Sequence, residues 1–180
     1  TAALDLTPLR LTKGVDFDFA GSAVTSLPPG GRVVVVKNAA AFAARYGTAF
    51  PGVAVAGAWQ LGQSLNNGGE ELKISHGAGT AIREFDYSNL APWPDGADGT
   101  GHGLVLVDPA SRPDHGVGGN WRLSAGRGGS PGTSDVVPYD QWAASFGGLP
   151  PAEDADADGY VNFAEYALGL PPRAGAGPAP

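Results

Sequence analysis

The sequence predicts a mainly β, turn-rich domain followed by a small α-helical segment. Three observations carry that expectation. Over residues 1–135 short apolar runs alternate with turn clusters, and Gly (29) and Pro (16) together make up a quarter of the 180 residues. Val33-Val34-Val35-Val36 is a β-branched run of the length a buried strand needs. From Pro138 onward the texture changes: Trp142 and Phe146 fall four apart, and an acidic stretch, DADADGYVNFAE (154–165), leads into a second short helical segment.

Taken in order, the expected strands are Leu4–Leu6, Leu9–Thr12, Asp16–Phe19, Arg32–Lys37, Val53–Val55, Glu71–Ser75, Ala81–Tyr87 and Leu104–Asp108. Asp16-Phe17-Asp18-Phe19 and Arg83-Glu84-Phe85-Asp86-Tyr87 show the period of two that marks a sheet with one wet face. Between the runs lie PPGG, NNGG, HGAG, PDGADG and GRGGSPG, rich in the residues turns require. One helix interrupts them. NAAAFAARYG offers Asn38 as N-cap, Phe42 and Tyr46 four apart, and Gly47 as a stop. It spans about two turns, so packing must hold it. Strands at this spacing around one short helix suggest a β-sandwich of immunoglobulin type.

In the C-terminal part, PYDQWAASFGG reads as a helix with Trp142 and Phe146 on one face. After LPPAE come the acidic loop and a second short helix, NFAEYALG, stopped at Gly169. Residues 172–180 have no apolar pattern and are expected to form a flexible tail.

The acidic loop fits a calcium-binding EF-hand at each diagnostic place. Asp154, Asp156 and Asp158 occupy positions 1, 3 and 5, and Gly159 stands at 6, where the chain turns sharply. Tyr160 at 7 would offer its backbone carbonyl, Asn162 at 9 a direct or water-mediated ligand, and Glu165 at 12 two oxygens. Val161 at 8 is the apolar residue expected to pin the loop. Four carboxylates packed this closely repel one another unless a dication sits among them. All the donors are oxygen, which selects a hard cation, calcium rather than zinc.

Charge bounds the remaining classes. The net is −7. Residues 1–135 hold 12 acids against 10 bases, while residues 136–180 hold 6 acids against Arg173 alone. With no basic face, nucleic acid is not an expected partner. There is no Cys, hence no disulfide framework. No apolar run approaches the roughly 18–20 residues of a membrane span. The chain opens at Thr1 without a signal peptide, as a processed or excised fragment would.

Two resemblances follow from quoted stretches. GVDFDFAGSAVTSLPPGGRVVVVKNAAAFAARYG, LNNGGEELKIS, IREFDYSNLAPWPDGADGTGHGLVLVDP and NWRLSAGRGGSPG stand in the order and spacing of a lamin tail domain. The segment resembles the version common in secreted and cell-surface bacterial proteins. That resemblance implies an immunoglobulin-like sandwich over 1–135 with no catalytic role. The family opens with strands upstream of the equivalent of LDLTPLRL. Another segment, or a neighbouring copy building a filament or surface layer, is therefore expected to complete the sandwich edge. Animal lamins use the domain on nuclear partners, but this sequence lacks their heptad rod, basic localisation patch and lipidation box. Residues 138–171 resemble the calcium segment of dockerins, D-x-D-x-D-G-x-x-N-x-x-E-Y-A-L-G. A dockerin proper carries two such repeats and binds a cohesin through them; this sequence carries one.

Other constellations read as structure. GGSPG (128–132) matches G-x-S-x-G, but Pro131 follows the serine and has no N–H to give an oxyanion. His76, His102 and His115 lack zinc-site spacing, and Asp95 and Asp98 lack an acid at the twelfth position. Glu70 and Glu71 point to opposite faces of a strand, so they do not converge. Glu84 and Asp86 mark no cleft. Among the tryptophans, Trp93 in APWPDG is the candidate for an exposed ligand-stacking ring. The expected function is a non-catalytic extracellular or cell-surface module: a spacer, adhesive or assembly unit with a structural calcium site. The alternative is a carbohydrate- or ligand-binding accessory module of a secreted hydrolase.

Overall fold

Short strands punctuated by glycine turns are what the sequence encodes, and the computed structural model is mainly β. It describes residues 2–136, 138–168, 170 and 172. In chain order these contain β1 (Leu4–Asp5), β2 (Leu9–Lys13), β3 (Val15–Asp18), β4 (Ser26–Leu27), β5 (Val34–Val36), α1 (Ala39–Tyr46), β6 (Val55–Ala58), β7 (Gly69–His76), β8 (Thr80–Ser88), β9 (Leu104–Leu106), β10 (Trp121–Leu123), α2 (Tyr139–Ser145) and α3 (Asn162–Leu168). The chain divides into two units, Thr1–Asp135 and Val136–Pro180.

In the first unit the largest sheet has the antiparallel order β3-β2-β7-β8. Its alternation of charged and apolar residues sets the register, because a slip by one residue would exchange the two faces. Arg10 lies opposite Asp18 and pairs with it at 3.0 Å; Lys73 lies opposite Glu84 and pairs at 3.1 Å. A bulge between Leu11 and Lys13 shifts the register, and Lys13 reaches Glu71 at 2.8 Å. Each such exposed pair contributes about 0–1 kcal/mol, so their role is to keep one face wet. Gly14 turns the β2–β3 hairpin at φ +74°, and a Cβ there would collide with Leu72 Cδ2.

Leu6, Leu9, Phe19 and Ala56 form the buried core. Phe17, Val24, Leu27, Val33, Val35 and Ile74 pack around them, so β3, β4, β5 and β7 all contribute. Phe17 meets Phe19 edge-on, with ring centroids 4.9 Å apart. The pair β5–β6 is parallel, which explains why a helix interrupts the strands: a parallel pair needs a crossover, and α1 lies in it. Asn38 caps that helix by accepting from Ala41 N at 2.9 Å. Gly47 ends it in the right-handed region, at φ −59°, donating to Ala43 O at 2.9 Å. Tyr46 stacks on Phe42 and donates to Gly128 O at 2.8 Å, tying the two-turn helix to the loop after β10.

Several boundaries differ from expectation. Arg32–Lys37 shortens to β5, and Val53–Val55 moves to β6, where pairing with β5 carries the strand through Gly57. Val53 instead closes a turn onto Phe50 O. β4 and β10 were not foreseen. Two residues are too few to show a period, and β10 is specified by its pairing with β9, Trp121 opposite Leu106.

In the second unit, α2 and α3 each have seven residues and meet through rings. Tyr139 touches Phe163 and Tyr166 at 5.4 Å, and Trp142 touches Phe146 at 5.2 Å and Tyr166 at 5.6 Å. Ala143 is buried among them. Gly169 and residues 173–180, which include the expected stop and most of the expected tail, lie outside the described residues. Among the described residues no helix is long and apolar enough to cross a membrane.

Candidate metal centre

The acidic loop folds on its own side chains. Asp154 Oδ2 accepts from Gly159 N at 2.9 Å, Asp156 Oδ1 from Asp158 N at 3.3 Å, and Asp158 Oδ1 from Tyr160 N at 2.8 Å. Two left-handed residues, Ala157 at φ +62° and Gly159 at φ +99°, give the loop its tight turn. Glycine adopts the latter without the steric cost a side chain would bring. The three aspartates thereby bring oxygens within 4.8 Å of one another. Two oxygens on one calcium stand at most about 4.6–5.2 Å apart, twice the bond length, so the cluster has the size of one coordination shell.

Asn162 and Glu165, both on α3, are fully buried. The LPPAE segment holds them: Asn162 N donates to Glu153 O and Asn162 Nδ2 to Pro150 O, each at 2.7 Å, and Phe163 N donates to Pro151 O at 3.0 Å. That segment, which the sequence presents as a spacer, supplies the carbonyls that receive the first N–H groups of α3. The pattern of prolines gave no signal of this, because the donors lie up to 12 positions away.

These bonds leave Asn162 Oδ1 and both Glu165 carboxylate oxygens buried without a hydrogen-bond partner. Burial first, then the charges of Asp156, Asp158 and Asp154, push the Glu165 carboxyl above its ordinary value. An ionised carboxylate in such a place is costly unless something positive meets it. A proton satisfies one oxygen as a donor; a dication meets both oxygens at once and the aspartates as well. The donor set therefore fits a hard divalent ion. Glu165 stands outside the close triad, as a charge neighbour of it. Tyr160 has an exposed ring and enters the loop through its backbone. Val161 is 40% exposed and is no core pin; its carbonyl accepts from Ala164 N and Glu165 N.

The remaining candidates fall elsewhere. Trp93 is not an open platform: the residue is 9% exposed, and its ring lies 5.8 Å from Trp121, which in turn stacks on Phe85. Together these rings line a cavity of about 300 Å³. Ser130 Oγ donates to Asp135 Oδ1 at 2.7 Å, and Asp135 also takes Arg122 and Ala125 N. The serine of GGSPG thus belongs to a loop clasp. His102 bonds Ser124 O through Nδ1, and His115 packs against Phe85 and Trp121. Asp98 accepts from Asn89. Glu70 takes Asn66 N and Tyr87 OH while Glu71 takes Lys13, so the adjacent acids diverge.

Comparison of the chain with protein-family models, curated proteins and solved structures finds no match.

Proposed function

We propose that the chain is a non-catalytic extracellular module of a secreted or cell-surface bacterial protein. On this reading residues 1–135 are an immunoglobulin-like sandwich similar to a lamin tail domain. Residues 138–171 are a dockerin-like EF-hand segment ordered by one calcium ion, with Asp154, Asp156, Asp158, the Tyr160 carbonyl, Asn162 and Glu165 around it. The work of such a module is structural, as a spacer, an adhesive or an assembly subunit that pairs with protein.

One observation carries the reading: the buried, partnerless oxygens of Glu165 and Asn162 beside three converging aspartates. The address follows from mass action. Extracellular modules bind calcium at roughly 10⁻⁴–10⁻³ M, so millimolar calcium stabilises the site by on the order of 1 kcal/mol. In a cytosol, with far less free calcium, the same site would stay empty.

Calorimetric titration with calcium after exhaustive chelation tests this. Heat consistent with one ion per chain and a raised melting temperature are expected. Glu165→Gln is expected to abolish both responses while folding at least as well as the parent in chelator, because the buried charge is gone. Absence of heat together with an unmoved melting curve overturns the calcium reading.

A second reading, a carbohydrate- or ligand-binding accessory module, is favoured by the ring-lined cavity at Phe85, Trp93 and Trp121. It predicts binding on a glycan array that Trp93→Ala removes. The assembly reading predicts no binding there.

A further inference from the structure

We infer that the free edge of β8 is a docking site for a separate protein. That partner adds an extended segment of alternating basic and apolar side chains as the next strand of the β3-β2-β7-β8 sheet. The inference rests on the reading of the chain as an assembly module and is independent of the calcium loop.

Among the described residues β8 is the longest strand, at nine residues, and it is hydrogen-bonded to β7 alone. Its other edge presents a row of backbone donors and acceptors, which is a template for a further strand. Exposed edges are commonly blunted by proline, and Thr80–Ser88 contains none; its one irregularity is a bulge at Ile82, between Ala81 and Arg83, which leaves Arg83–Ser88 as the regular edge. From Thr80 to Glu84 every residue is exposed, and Ile82 is 48% exposed.

The two faces of β8 state what the added strand must carry. Beyond the bulge side chains alternate, so Arg83, Phe85 and Tyr87 share one face and Glu84 and Asp86 the other. On the first face Phe85 lies opposite Leu72, and both line two cavities of about 300 and 310 Å³. An apolar side chain from an added strand would have unfilled apolar space beside it. On the second face Glu84 is met by Lys73, but Asp86 lies directly opposite another acid, Glu71, whose carboxylate is taken by Lys13. Like charges placed opposite one another are destabilising. A lysine or arginine on a new strand would relieve that pair, and an acid would aggravate it.

A second copy of this chain does not meet the requirement. Antiparallel self-pairing centred on Glu84, Phe85 or Asp86 sets acid against acid, centring on Arg83 sets Arg83 against Arg83, and centring on Ile82 pairs only Thr80–Glu84, across the bulge. The occupant is therefore a different polypeptide.

The test uses the full chain and three labelled synthetic peptides: alternating Lys and Val, alternating Glu and Val, and the Lys–Val peptide N-methylated on alternate amides. Fluorescence anisotropy with and without calcium, and amide hydrogen exchange, are read. The Lys–Val peptide is expected to bind and to slow exchange in Thr80–Ser88, whereas the other two are not. Asp86→Lys removes the like-charge pair with Glu71, so the fold is expected to persist, as an unchanged melt would verify. That variant should weaken Lys–Val binding on the order of tenfold. Equal binding of the N-methylated peptide would reduce the effect to diffuse charge attraction and overturn the proposal. So would unchanged exchange in β8, equal binding of the acidic peptide, or a free chain that dimerises through this strand. None of these outcomes bears on the calcium titration, which fails or succeeds separately.

Discussion

Asp135 gathers more partners than any other acid of the first unit described above. Arg122 Nη1 and Ala125 N bond Oδ2 at 2.7 and 2.9 Å, Ser130 bonds Oδ1, and Arg122 Nη2 takes the backbone carbonyl at 2.7 Å. Burial raises its pKa, but the bonds from Ser130, Ala125 and Arg122 outweigh burial and hold it below the ordinary 3.8. A depressed folded pKa means the native state prefers the charged form. The clasp thus contributes fully above pH 3.8 and is lost as pH falls through the lower folded value. Ser130→Ala is expected to cost about 1–3 kcal/mol at neutral pH, since it removes a bond to a charged group. It should also narrow the difference in stability between neutral and strongly acidic solution. Urea unfolding across that range would measure both. At this scale the sequence revealed positions that sit at fixed offsets, such as Asp154, Asp156 and Asp158. It did not reveal Asp135, whose bonds to Arg122 and Ser130 exist only after the 123–134 loop has folded. It also could not show that Glu165 would be wholly buried, since that depends on what α3 packs against.

Helix α1 shows how local signals and tertiary demands meet in one element. Its N-cap was legible because Asn38 needs only Ala41, three positions on, to make its bond. Its reason for existing was not, because nothing in NAAAFAARYG states that β5 and β6 run parallel. Asn38→Ala is expected to cost about 0.5–2 kcal/mol, the usual loss of a side-chain cap, read as a lower midpoint in urea with an unchanged slope. A changed slope would mean that the crossover itself had come loose. The strands repeat the lesson. β2, β3, β7 and β8 were expected to within two residues at either end, β3 and β8 from their period of two and β2 and β7 as short apolar runs between turns. β4 and β10 hold two and three residues and owe their conformation to β1 and β9. In the second unit the first helix was legible from Trp142 and Phe146 four apart and the second from NFAEYALG after the acidic loop, while the capping by the 150–153 carbonyls was hidden in a stretch that reads as a break.

Over the whole molecule, the division of charge anticipates the division of structure. The first unit is nearly balanced, and its acids and bases face one another on the wet side of the main sheet. Residues 136–180 carry −5 of the net −7, most of it around one loop. A balanced surface can fold without help from solution, whereas a concentrated charge makes folding answer to the ions outside, through site binding and screening alike. The mainly β character of the chain was therefore open to reading from composition and period. The order of its strands was not, because neighbours in the main sheet come from distant parts of the chain.

That distance shapes how the protein is made. Ser75 reaches the Arg10 carbonyl across 65 positions, so the seam between β2 and β7 cannot close until the whole stretch between them has been synthesised. Each hairpin, β2 with β3 and β7 with β8, closes over a short span and forms quickly, but their union must wait for a long loop to find its ends. During that interval the apolar side of the first hairpin is uncovered on the ribosome. The docking of the two hairpins is therefore expected to follow the closing of each.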